Sequence, residues 1–245
     1  MATLQEFISE YGDTSYTFNN LNFRKGAKIT DSFGLSEGFQ LDEENSMQWG
    51  YVRLHTGVDR AGGGYFKGVK DPVISPFNFE RSAFADLRGK VYGTEVRLFS
   101  DKYGFYFLIG HMFPEEILIL DDLKEGRPVA RDILIGPAGT DGESTGRHTH
   151  TEVISIGDKS DILETLLLDK FGTVVDNEYD KDTLIQFYHA QEKFKTTSEQ
   201  DILNNWTSQK KIRGASFSNK FLYRYTDANG HKKTRYSTEL LFNGL

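Results

Sequence analysis

The chain has 245 residues, a net charge of −7 and no cysteine. With 38% hydrophobic and 13% aromatic residues it is composed as a globular protein with a sizeable core, which excludes a disordered chain. The missing cysteines exclude disulfides, thiolate catalysis and cysteine-held zinc, no apolar run approaches the ~20 residues of a membrane span, and the acidic balance argues against nucleic acid as a partner.

The opening residues, MATLQEFISEYGDTSYTF, have no basic stretch followed by an apolar one, so no secretory signal is expected. Residues 1–27 are read as an N-terminal lead-in. From 28 to 157 the pattern is β-like: alternating runs such as TEVRLFS and YGFYFLIGHM are separated by Gly, Asp and Pro turns. This region predicts an antiparallel sheet domain. After Gly157 the period changes, and Ile162, Leu163, Leu166, Leu167 and Phe171 recur at helical spacing behind Ser160 as N-cap. DTLIQFYHAQEKF and SEQDILNNW predict two more short helices. The end of the chain reads as a hairpin turning at Asn229-Gly230. The fold class expected is therefore mainly β with α additions, with residues 158–245 forming a helical segment and a C-terminal hairpin. Ser208 to Thr238 carry eight Lys/Arg against one Asp, a balance of +7 that leaves −14 elsewhere. Such a basic end is either a solvated hairpin face or a candidate docking module for anionic wall polymer or an acidic neighbour.

Four of the six histidines fall inside the β region, in three compact segments. GRHTHTEV places His148 and His150 two apart, on one face of a strand together with Glu152. LHTGVD sets His55 and Asp59 four apart around a glycine, and IGHM puts His111 at the end of an apolar strand. Imidazoles that share a face suit a metal, whereas each histidine taken singly also fits a core or surface position. AGGGY, from Ala61 to Tyr65, reads as a rim loop or an ordinary turn. Trp49 and Tyr51 suit either a groove lining or core packing.

The three segments together resemble the lysostaphin/LytM-type zinc endopeptidases (metallopeptidase family 23), which cut peptide bonds of bacterial peptidoglycan. That family carries H-x-x-x-D, a lone histidine at a strand end, and H-x-H after a Gly/Ser/Thr loop. GTDGESTGRHTHTE, from Gly139 to Glu152, matches the loop in register, and DSFG and LKEGRPVARDILIG resemble neighbouring family segments. Thr149, Thr151, Asp141, Gly110, Met112 and Asp132 depart from the usual residues without removing a ligand. The resemblance implies that His55, Asp59 and His150 bind Zn2+, and that His111 and His148 stay off the metal as catalytic histidines. A catalytic zinc takes three protein ligands and keeps a fourth position open, which agrees with that division. Glu152 is either an outer carboxylate fixing a ligand's tautomer or a solvent-facing strand residue. The substrate implied is peptidoglycan peptide. Without a signal peptide, the expected location is a phage virion tail, with other tail proteins as partners. The alternatives are a tail structural or assembly protein with an inactive site, and a lysis endolysin.

Overall fold

Alternating sequence predicts strands, and strands dominate the structure. The computed structural model describes residues 4–11, 28–31, 33–41, 47–156, 163–165, 181–190, 195–212, 215–218, 222–227 and 229–238. Within them the strands are β1 (Lys28–Asp31), β2 (Gly34–Leu41), β3 (Met47–His55), β4 (Val58–Ala61), β5 (Tyr65–Phe66), β6 (Val69–Lys70), β7 (Pro72–Ile74), β8 (Arg81–Ala85), β9 (Thr94–Ser100) and β10 (Phe105–Met112). They continue as β11 (Leu134–Pro137), β12 (His148–Ser155), β13 (Ala215–Ser218), β14 (Leu222–Thr226) and β15 (Lys232–Tyr236). The helices of two turns or more are α1 (Leu4–Tyr11), α3 (Lys181–His189) and α4 (Glu199–Ile212), with a single-turn α2 (Leu120–Lys124) between β10 and β11.

The main sheet runs β13-β14-β15-β12-β10-β9-β8, every pair antiparallel. One edge of β12 is shared by two ribbons. Its first half, His148 to Thr151, pairs with β4, which carries β1 beyond it; Val153 and Ile154 pair with β15. The C-terminal hairpin expected around Asn229-Gly230 is thus β14–β15, and it continues the sheet.

Period-2 alternation divides the sheet's two faces. Val96, Leu98, Phe105, Phe107, Ile109, Val153, Leu222 and Tyr236 are fully buried in the main core. Val73, Leu123 and Ile135, from β7, α2 and β11, close over them, joined by Phe7 and Tyr11 of α1. The lead-in therefore contributes a helix that the sequence pattern did not reveal. Each such side chain contributes about 1.5–3 kcal/mol on burial. A second cluster, Phe33, Val58, Leu184 and Trp206, fastens α3 and α4 to the β4 edge. The helix expected behind Ser160 is described only at residues 163–165, where it is helical, with Leu163 buried in the main core. The side chains of Trp49 and Tyr51 lie outside the described residues.

Candidate metal centre

The register of β12 assembles the site. His150 stands opposite Asp59 on β4 and opposite Gly110 on β10, and His148 stands opposite Ala61. Thr149 and Thr151 point to the other face, both fully buried. His55, at the end of β3, reaches the same point: its Nε2 lies 3.2 Å from His150 Nδ1 and 3.3 Å from Asp59 Oδ1. Asp59 Oδ1 lies 2.8 Å from His150 Nδ1. The three residues are buried, and their ligand atoms lie within 4.8 Å of one another. Among the described residues this is the group of histidines and carboxylates able to hold a metal.

The donor set suits zinc. Nitrogen and oxygen ligands at 2.0–2.1 Å around a tetrahedral ion stand about 3.3 Å apart, close to the spacings seen. Electrostatics asks for a cation as well. His150 Nε2 faces the Glu152 carboxylate at 2.9 Å and so carries a hydrogen. The Nδ1 lone pair then confronts the Asp59 carboxylate, a contact that only a proton or a metal relieves. Without metal it is a proton: burial opposes the charge, but hydrogen bonds to Asp59 and Glu152 push His150 up to about 9. Burial would likewise raise Asp59, yet His55 and His150 hold it far below the ordinary carboxylate range. Gly57 makes the close approach possible, since a Cβ there would lie 2.5 Å from Cε1 and Nε2 of His150.

His111 and His148 stand beside this group. Their ring centroids are 4.5 Å apart, and the His111 ring is 5.8 Å from that of His150. His111 Nδ1 donates to the carbonyl of Asp141 at 2.6 Å, which leaves Nε2 as an acceptor. Burial, then the neighbouring His150 and His148, push its imidazole down to about 3. His148 Nδ1 contacts the Gly146 carbonyl at 2.7 Å and Ser144 Oγ at 3.1 Å, while its Nε2 lies 3.6 Å from Asp59 Oδ2. His111 sits at φ 65, a left-handed conformation that costs a non-glycine residue about 1–3 kcal/mol. The Gly139 loop holds it there: a Cβ on Gly139 would come 2.1 Å from the His111 carbonyl. Asp141 ties that loop down, accepting from Thr94 N at 2.8 Å and Thr94 Oγ1 at 2.9 Å.

Of the two readings of Glu152, the structure selects the outer carboxylate. It is fully buried, and its Oε1 accepts from Thr56 Oγ1 at 2.7 Å and Arg235 Nη1 at 2.8 Å as well as from His150. Burial would raise its pKa, but Arg235, then His150 and Thr56, bring it down to about 2. Tyr92 OH lies 2.7 Å from Arg235 Nη1 and 3.1 Å from Thr56 Oγ1. Beyond Tyr92 and Arg235 a groove of about 600 Å³ continues along the same sheet face, between Arg97, Tyr106 and Tyr225. Sequence reading missed Thr56, Tyr92, Asp141 and Arg235, because each acts through a partner at least 30 residues away. The sequence signals that touch this group are LHTGVD around Thr56, the loop before His148 that holds Asp141, and the basic run around Arg235.

Fold and site together define a class: an antiparallel sheet presenting a buried His-Asp-His group able to hold a metal, with two further histidines beside it. No protein-family model matches the chain, and no curated protein does. Among solved structures it is similar to the catalytic domain of the antimicrobial peptidase lysostaphin from Staphylococcus simulans, at 19% identity over 53% of this chain and 80% of that one, TM-score 0.35. The catalytic domain of the prophage-encoded M23 protein EnpA from Enterococcus faecalis aligns at 22% identity over 53% and 81%, TM-score 0.33. A zinc-containing peptidase from Vibrio cholerae aligns at 21% over 56% and 36%, TM-score 0.34.

Proposed function

We propose that the chain is a zinc-dependent endopeptidase acting on peptides of bacterial peptidoglycan, with His55, Asp59 and His150 as ligands and His111 and His148 as catalytic histidines. The observation that carries this reading is the division of the site. Three donors converge on one point, while two further imidazoles stand beside them with an Nε2 left over. When bound, zinc supplies Lewis-acid polarisation and an acidified water of pKa about 7. The rest falls to the chain. His111, held in one tautomer by the Asp141 carbonyl, presents Nε2 as an acceptor to take a proton, and His148, anchored at Nδ1, can hold or return one to the leaving amine. Tyr65 and Val91 are exposed and, in this reading, offer apolar contact to a bound peptide. Carriage within a phage tail belongs to the same proposal, and mass spectrometry of purified virions tests it.

Digestion of purified peptidoglycan by zinc-loaded protein tests the activity, with mass analysis of the fragments and His150→Ala as control. The expected result is new peptide amino termini from the parent protein, and none from the variant or after chelation. Intact wall peptides with fully loaded protein would overturn the reading.

A further inference from the structure

We propose that Arg235, on β15 of the C-terminal hairpin, is a positioning residue of the metal centre, holding Glu152 as the buried anion that orients His150. This rests on the metal reading above. The geometry is specific. Arg235 stands opposite Ile154 on β12, so its side chain reaches diagonally to Glu152 on the same face. Glu152 is fully buried, and Arg235 Nη1 at 2.8 Å is the full cationic side chain that meets it. Nη1 also lies 2.9 Å from Thr56 Oγ1, next to the ligand His55 in the chain, and 2.7 Å from Tyr92 OH, whose ring is 5.0 Å from that of His150. The guanidinium is held over Tyr225 at 4.7 Å and Tyr92 at 5.6 Å.

The physical consequence follows from burial. A carboxylate taken out of water needs a partner of opposite charge, and removing that partner leaves it uncompensated. Without Arg235, Glu152 Oε1 loses the donor that fixes its place, and with it the acceptor position that selects the His150 tautomer in which Nδ1 faces the ligand cluster. Outer partners of this kind are worth about 10–100-fold in metal affinity. The hairpin also occupies a particular place: β4 and β15 share one edge of β12, and Glu152 lies at the junction between them. The C-terminal strands thereby complete a site whose ligands all lie before residue 151.

The test is a zinc competition titration on full-length protein, with the visible spectrum of the cobalt-substituted form as a second readout. Arg235→Met should lower zinc affinity about 10–100-fold and alter the cobalt spectrum, Arg235→Lys should recover part of the loss, and Lys233→Ala on the same strand should change neither. Glu152→Gln/Arg235→Met removes both charges, keeps a folded protein measurable, and should bind zinc no more weakly than Glu152→Gln alone, because Arg235 acts through Glu152. Parent protein that binds no zinc would sink the metal reading itself. Parent protein that binds zinc while Arg235→Met binds it equally, or a double variant much weaker than Glu152→Gln, overturns the role of Arg235 alone.

Discussion

Replacing Gly57 by alanine probes the tightest contact in the site. The added Cβ would lie 2.5 Å from Cε1 and Nε2 of His150 and 2.5 Å from the Thr151 carbonyl oxygen. Carbon contacts settle at about 3.5–4.0 Å, so the neighbours must move by about an ångström. The Thr151 backbone is paired on both sides, with Val58 of β4 and Ile109 of β10, and has little room to give. The displacement therefore falls on the His150 ring. Overpacking of this kind costs about 1–3 kcal/mol, and a nitrogen moved that far leaves the 2.0–2.1 Å coordination distance. Gly57→Ala should fold, melt at a lower temperature, and bind zinc at least about tenfold more weakly. A chelator competition titration reads the affinity, and circular dichroism reads the fold. Zinc affinity equal to that of the parent would refute the packing argument.

Three further outcomes are expected. His111→Ala and His148→Ala should each retain zinc while losing about a hundredfold or more in kcat; loss of metal in either, measured by atomic absorption, would show that ligand and catalyst have been exchanged. In metal-free protein His150 is raised from 6.5 to about 9, so its stabilisation is fully present below pH 6.5 and lost as pH rises through 9. At about 1.4 kcal/mol per tenfold change in proton affinity this is roughly 3 kcal/mol, read by denaturant titrations in chelator from pH 6 to 9.5. Zinc-loaded protein should not show that loss, because metal takes the proton's place, and an equal loss with zinc bound would contradict the site. A chain ended at Ile212 loses Leu222 and Tyr236, both fully buried in the main core, at roughly 3–6 kcal/mol together, and uncovers the β12 edge. It should be unfolded or aggregated by circular dichroism and sedimentation, and a cooperatively melting truncated chain would show the hairpin to be separable.

What the sequence determined by itself is local in origin. The period of two in TEVRLFS and YGFYFLIGHM sets strands, because side-chain direction in a strand depends only on the neighbouring residue. The same rule puts His148, His150 and Glu152 on one face before any partner strand is known. The Asn229-Gly230 turn and the helices at 181–189 and 199–212 come from turn chemistry and helical spacing of the same short range. Tertiary structure alone decided the rest. Which edge of β12 each ribbon takes, how Asp141 steadies His111 from 30 residues away, and how Arg235 reaches Glu152 across 83 residues depend on strand pairing between distant segments. No periodicity records such pairing, because it follows from the burial of whole faces at once. The basic end shows the difference most directly: composition displays its charge, but only the sheet order places Arg235 against Glu152, a buried carboxylate that faces the candidate ligand His150.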